Sequence, residues 1–272
     1  MITLSNFNIG KKQPLTVIAG PCQIESMQHA LMIAETVKEI TDNLGMNFIY
    51  KSSFDKANRT SISTKRGPGI KEGLDIMFGV KQNLNVATLT DIHHPEQARL
   101  CKEANVDVLQ IPAFLSRQTD LLLAAGETGL AVNIKKGQFM APTDIGKAAE
   151  KIASTGNNRI MLCERGVTHG YNNLVVDMRS LPIMERFGYP VVFDCTHSVQ
   201  QPGGMGTSSG GDRSMVPYLA RAAIATGCVN AVFIETHENP DSAPSDGPNM
   251  IPLSELSALL ESIKKVYEAV NG

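Results

Sequence analysis

Residues 15–52 read LTVIAGPCQIESMQHALMIAETVKEITDNLGMNFIYKS. LTVIAG (15–20) is a short, almost unbroken apolar run, as expected of a strand buried on both faces. From Ser26 to Asn43 the residues Ala30, Ile33, Ala34, Val37 and Ile40 recur at helical intervals, and Gly45 stands where a helix would stop. A second apolar run, NFIYKS (47–52), follows at once. Strand, helix and strand in so short a compass describe a βαβ unit with parallel strands.

The same rhythm continues to the end of the chain. VATLT (86–90), VDVLQI (106–111), LAVNI (130–134), RIMLCE (159–164), PVVFD (190–194) and NAVFIE (230–235) bring the strand candidates to eight. Pro95 opens a helix after His94, a position that suits proline, and Ala141–Pro142 and the tail from Leu253 to Val270 also read as helical. Eight βα units with no linker or shift in composition predict an α/β fold, one closed (β/α)8 TIM barrel spanning residues 1–272. Residues 1–13 precede the first strand as a short N-terminal extension. A doubly wound open sheet is the alternative.

Composition excludes several classes of partner. With 25 basic and 27 acidic residues the formal net charge is -2, so no general attraction to nucleic acid or anionic membrane is expected. Hydrophobic residues make up 42% of the chain, enough for a core, yet no apolar run approaches the roughly 20 residues that cross a bilayer. The opening MITLSNFNIGKKQP has no signal-peptide character. Five cysteines without a Cys-x-x-Cys pair argue against a disulfide framework or zinc ribbon, and a cytoplasmic location is expected.

In a barrel the active site forms where strands end. Polar residues stand at every such exit: Cys22 after the first strand; Lys51, Ser53 and Lys56 after the second; Asp91 and His93 after the third; Gln110 after the fourth. Lys135 and Lys136, Glu164 and Arg165, Asp194 and His197, and Glu235 and His237 follow the remaining four. Taken singly, a Cys is more often a small buried hydrophobe and a Lys a solvated charge. Their shared position carries the functional reading.

Two chemistries separate within this set. Lys51, Lys56, Arg59, Lys135 and Arg165 would gather positive charge in one pocket of a near-neutral protein, which favours a substrate with several negative charges. Ser53 and the loop KANRTS suit phosphate or carboxylate, Arg59 through bidentate contacts. Cys22, His197, Glu235 and Asp246 offer a thiolate, an imidazole and two carboxylates, a donor set for a borderline divalent ion. The spacing is too dispersed to be a local metal motif, and His93, His94 and His237 compete as ligands. His29 reads better as a helix-surface residue, and His169 lies on a less suggestive segment. The glycine stretches GPG (67–69), GGMG (203–206) and SSGGD (208–212) could approach anions through backbone amides but match no nucleotide-binding fingerprint.

Ten segments in order, KSSFDKANRTS (51–61), RGPG (66–69), TDIH (90–93), QIPAFLSRQTDLL (110–122), NIKKGQF (133–139), LCERG (162–166), GYNNLVVDM (170–178), FDCTH (193–197), SSGGDR (208–213) and SDGPNM (245–250), carry a family resemblance. Over nearly its whole length the chain resembles the 3-deoxy-D-manno-octulosonate 8-phosphate synthases, also called 2-dehydro-3-deoxyphosphooctonate aldolases. The resemblance implies a homotetrameric barrel transferase that joins phosphoenolpyruvate, D-arabinose 5-phosphate and water and releases inorganic phosphate. Its product feeds the lipopolysaccharide inner core of Gram-negative bacteria.

By that similarity Lys51, Ser53, Lys56, Gln110, the backbone of Ala113, Lys135 and Arg165 hold phosphoenolpyruvate. Asn58, Arg59 and Thr60, where relatives commonly have Ser, hold the sugar phosphate, and Arg117 reaches it from a neighbouring subunit. Cys22, within AGPCQIES, places the chain in the metal-dependent branch, with His197, Glu235 and Asp246 as the other ligands and zinc, iron, manganese or cobalt as the ion. The expected catalytic set is Lys56, Asn58, Asp91 and His197, with Asp91 and His197 as candidate proton-transfer groups. Two rivals remain: the related 3-deoxy-D-arabino-heptulosonate 7-phosphate synthases, which use erythrose 4-phosphate, and a non-catalytic phosphosugar-binding barrel. The KANR segment favours the octulosonate enzymes, and the four metal ligands favour catalysis.

Overall fold

A computed structural model describes residues 1–4, 6–59, 61–204 and 209–271. Its centre is a barrel of eight parallel strands: β1 (Thr16–Gly20), β2 (Asn47–Lys51), β3 (Ala87–Asp91), β4 (Val108–Ile111), β5 (Ala131–Lys135), β6 (Ile160–Glu164), β7 (Val191–Asp194) and β8 (Val229–His237). Each pairs with its sequence neighbours, β8 pairs with β1, and β7 with β8 closes the ring. The closed barrel, not the open sheet, is therefore the fold.

A helix follows every strand. They are α1 (Met27–Leu44), α2 (Ile70–Leu84), α3 (Pro95–Glu103), α4 (Thr119–Glu127), α5 (Ile145–Ala153), α6 (Ser180–Glu185), α7 (Val216–Ile224) and α8 (Leu256–Asn271). Local chemistry sets their ends. Ser26 caps α1 by accepting from the His29 amide, and Gly45 closes it in the left-handed region at φ 63°. His94 caps α3 ahead of Pro95. Around Ala141–Pro142 the chain instead makes turns, and α5 begins only at Ile145.

Alternation along the strands sorts the core into two layers. Val17, Phe48, Leu109, Val132, Leu162 and Val232 face outward, within the cluster that includes the helices' apolar faces. Ile18, Ile49, Leu89, Met161, Val192 and Phe233 fill the interior together with Ile2, Leu4 and Ile9 from the N-terminal segment, where Ile2–Thr3 and Asn8–Ile9 pair as a small hairpin. Side chains two residues apart on a strand share a face. Two residues on from an interior apolar side chain, the inward positions therefore become Lys51, Asp91, Gln110, Asp194 and Glu235, and Lys135 continues the inward row of Ala131 and Asn133. The alternation that fills the barrel also arms its mouth.

β8 runs farther than its apolar core requires. Its last residues, Thr236 and His237, pair in parallel with Ile251–Pro252, and this holds the 246–252 segment against the mouth beside Cys22.

Candidate active site and metal centre

The strand exits enclose a cavity of about 580 Å³ lined by Lys51, Lys56, Asn58, Arg59, Asp91, His93, Gln110, Ala113, Lys135, Arg165, His197, Glu235 and Asp246. One wall is cationic. Arg165 donates through Nη2 to Gln200 Oε1 at 2.9 Å, while its buried Nε and Nη1 have no partner among the described residues. A guanidinium with two uncommitted donors is suited to an anion. Lys56 donates to Ser53 Oγ at 3.0 Å. Burial alone would lower the Lys56 pKa, but the carboxylates of Glu235, Asp91 and Asp246 help to raise it, so this amine is a fixed cation.

A buried polar chain positions the floor. Asn133 Nδ2 donates to Gln110 Oε1 at 2.9 Å, Gln110 Nε2 to Asp91 Oδ1 at 2.5 Å, and Ser53 Oγ to the other Asp91 oxygen. Burial works to raise the Asp91 pKa, yet Lys51, Lys56, His93 and Lys135 pull it far below the usual carboxylate range. Asp91 is thus held ionised.

Beside these cations lie metal donors, and Lys51 Nζ donates to Glu235 Oε1 at 2.5 Å. Cys22, Glu235 and Asp246 present ligand atoms within 4.8 Å of one another, and Cys22 Sγ lies 3.0 Å from Asp246 Oδ2. His197 stands at the edge of this trio, its Nε2 3.7 Å from Glu235 Oε2. That oxygen is buried without a hydrogen-bond partner among the described residues. The far side of the imidazole is fixed, because Nδ1 sits 2.9 Å from Asp194 Oδ2, leaving Nε2 toward the trio. Gln200 Nε2 and Ser245 Oγ donate to Asp246 at 2.8 and 3.1 Å, which orients that carboxylate. An orphaned buried carboxylate oxygen beside a thiol, a second carboxylate and an oriented imidazole fits a borderline divalent ion. Burial, then Glu235, pushes the Cys22 thiol well up, so an incoming ion must displace its proton.

The residues singled out from sequence fall into distinct places. Ser53 lies behind the cavity wall on Asp91 and Lys56, and Arg59 donates to Gln23 Oε1 at 2.5 Å and to the Lys65 carbonyl at 3.0 Å. Thr60 and glycine-loop residues 205–208 lie outside the described residues. Arg117 is exposed and is not among the residues lining the cavity of its own chain. Lys136 and Glu164 do not join the cavity. They form a buried pair at 3.4 Å behind it, with Lys136 also donating to the Met140 carbonyl. His93 packs its edge on Phe54, His94 caps α3, and His237 turns to Glu25 at 2.8 Å, so none joins the Cys22 trio. His169 is exposed.

Sequence reading missed Asn133 and Gln200. The signal for Asn133 was its spacing, two residues before Lys135 on an inward row. Gln200 bridges Arg165 and Asp246 from a loop that no periodicity marks.

Comparison with known proteins agrees with this architecture. The profile of the DAHP synthetase I family matches residues 1–271. A Granulibacter bethesdensis protein named 2-dehydro-3-deoxyphosphooctonate aldolase is 56% identical over 265 residues, covering 97% of this chain and 93% of the relative. Proteins of the same name from Caulobacter vibrioides and Rhizobium meliloti are each 57% identical, over 262 and 253 residues, covering 96% and 93% of this chain and 90% of each relative. Matched from end to end, with the polar residues of its barrel mouth in place, the chain belongs to the DAHP synthetase I family, alongside relatives that are 2-dehydro-3-deoxyphosphooctonate aldolases.

Proposed function

We propose that the protein condenses phosphoenolpyruvate with D-arabinose 5-phosphate and water, giving 3-deoxy-D-manno-octulosonate 8-phosphate, a lipopolysaccharide precursor, and inorganic phosphate. The observation that carries this reading is one cavity lined by Lys51, Lys56, Arg59, Lys135 and Arg165 together with His197, Glu235 and Asp246, with Cys22 held against the last two. The reaction forms a carbon–carbon bond from the enol carbon to the sugar aldehyde, adds water at the neighbouring carbon and then breaks the bond to phosphate.

Both substrates are anions, and Lys51, Lys56, Lys135 and Arg165 would offset the carboxylate and phosphate of phosphoenolpyruvate together. Their fixed placement contributes orientation and preorganised electrostatics. Gln110, held by Asn133 and Asp91, would present a rigid amide to the same substrate, with the Ala113 backbone beside it. Asn58, Arg59 and Thr60 would take the sugar phosphate. Asp91 remains a candidate proton-transfer group by its place in the cavity, although the surrounding lysines that hold it ionised weaken it as a base, and Lys56 is the fixed cation beside it. His197, with Nδ1 committed to Asp194, serves better as a ligand than as a proton carrier. A divalent ion held by Cys22, His197, Glu235 and Asp246 would supply Lewis acidity toward the aldehyde or the water.

The reading extends to assembly. Arg117 stands outside its own cavity, and Phe114 and Phe139 are 55% and 58% exposed, which supports association of subunits in which a neighbour's Arg117 completes the sugar-phosphate site; the family resemblance makes that assembly a cytoplasmic homotetramer. Light scattering on the purified protein measures the assembly.

Phosphate release with phosphoenolpyruvate, comparing arabinose 5-phosphate with erythrose 4-phosphate, tests the substrate. Preference for erythrose 4-phosphate overturns the assignment to the octulosonate reaction. Absence of turnover with both sugars, in the presence of added divalent ions, would leave only a binding role. Loss of turnover on chelation and its return with a divalent ion tests the metal.

A further inference from the structure

Beside the mouth, but not among the residues that line the cavity, lies a second group of ligating side chains. Glu25, His29 and His237 present ligand atoms within 4.8 Å of one another. Glu25 Oε1 is 2.8 Å from His237 Nε2 and 4.0 Å from His29 Nδ1. The two imidazoles lie with ring centroids 4.9 Å apart. His29 Nδ1 is buried and has no hydrogen-bond partner among the described residues.

Glu238 supplies the independent observation. Its Oε2 lies 2.9 Å from His29 Nε2 and 3.1 Å from His237 Nδ1, the outer nitrogen of each ring. A carboxylate that holds the outer N–H of an imidazole fixes the tautomer and turns the inner lone pair toward a metal. Here one carboxylate reaches both rings, and both inner nitrogens face Glu25. We propose that Glu25, His29 and His237 form a second divalent-cation site, with Glu238 as the group that orients both imidazoles.

The geometry needs only small movements. Ligand atoms around a tetrahedral ion at about 2.0–2.1 Å stand roughly 3.3 Å apart, and the present separations of 2.8 and 4.0 Å lie on either side of that value. Glu25 and Glu238 are exposed carboxylates at the surface, so they can adjust and water can complete the coordination. His237 has two states open to it. With the proton on Nε2 it donates to Glu25, and Nδ1 accepts from the Asn239 amide at 2.9 Å. With the proton on Nδ1 it donates to Glu238 and frees Nε2. A bound cation selects the second state, and the Asn239 amide, on an exposed residue, turns to water. Two imidazoles and one carboxylate, completed by water, match a borderline ion such as zinc or cobalt.

This site shares its chain segments with the proposed catalytic centre but none of its ligands. Glu25 follows Cys22 in the same loop, and His237 follows Glu235 on β8.

Titration of the metal-free protein with Co²⁺, read by bound metal per chain and by the absorption spectrum, tests the proposal. The wild type should take up two ions, only one of them producing a thiolate-to-cobalt charge-transfer band. His29→Ala and Glu25→Gln should each bind one ion and keep that band, whereas Cys22→Ala should bind one ion and lack it. Glu25 is exposed, so Glu25→Gln keeps the test valid if His29→Ala folds poorly. Uptake by the wild type of a single ion that Glu25→Gln retains, or of two ions by Glu25→Gln, overturns the second site. Failure of the catalytic metal reading looks different: the band is then missing from the wild type while an ion still disappears in Glu25→Gln.

Discussion

Lys135 makes the most direct connection between the stability of the barrel and the chemistry of its mouth. Its Nζ sits 2.7 Å from Asp194 Oδ2 and 3.8 Å from the centre of the Phe233 ring, and Asp194 has no exposed surface. Burial would lower the Lys135 pKa, but Asp194 together with Glu235 and Asp91 outweighs it and raises it, so the pair is ionic. At an effective dielectric of about 20, Coulomb attraction at this distance is roughly 6 kcal/mol. Lys135→Met recovers the cost of desolvating the ammonium but leaves the buried Asp194 charge to His197, with the Thr196 hydroxyl and Arg165 as lesser support. Breaking such a pair from one side costs about 3–5 kcal/mol, and the remaining His197 contact favours the lower end.

About 3 kcal/mol should lower the melting temperature by roughly 6–12 °C for a chain of this size. Calorimetry on Lys135→Met, Asp194→Asn and the double variant measures it. If an uncompensated buried charge is the cause, Asp194→Asn added to Lys135→Met should restore more than half of the loss. Simple addition of the two single losses would refute the argument and assign the effect to packing on Phe233.

Three further outcomes follow from the site. Cys22→Asn should reduce bound metal per chain and chelator sensitivity of turnover; unchanged catalytic metal content removes Cys22 from the ligand set. Asp91 is depressed in the fold, so its contribution to stability is complete above the unfolded pKa of about 4 and is lost as pH falls toward the folded value. The stability gap between wild type and Asp91→Asn, followed by urea unfolding, should therefore be widest near neutrality and narrow below about pH 4, and a gap independent of pH contradicts the assigned charge. In α2, a Cβ on Gly73 would meet Phe54 Cβ at 2.3 Å, so Gly73→Ala should destabilise by about 1–3 kcal/mol despite its better helix propensity. A raised urea midpoint would show that the Phe54 loop yields freely.

The barrel was legible because burial on both faces forces nearly continuous apolar strands, and each of the eight runs is a strand in the structure. The strand exits were legible for the same reason, since the inward-pointing charged residue at the end of such a run enters the mouth. Adjacent residues were harder to separate. Lys135 and Lys136 are equivalent in composition, yet one points along the inward row to Asp194 and the other outward to Glu164. The Ala141–Pro142 expectation failed locally, because proline there begins turns that precede the helix.

Sequence by itself determined the closed alternation of strands and helices, the cationic and ligating character of the strand ends, and the family. Those properties depend on short-range periodicity and on segments that can be compared one by one. Tertiary structure decided which side chains meet. Asp246 lies 224 residues from Cys22, yet their side chains are 3.0 Å apart, because the segment after β8 is tied back by its parallel pairing at Thr236 and His237. Closure also set His237 on Glu25 and left Nε2 of His197 facing Glu235. No local spacing encodes such contacts, because they arise only when β8 returns beside β1 and the ring is complete.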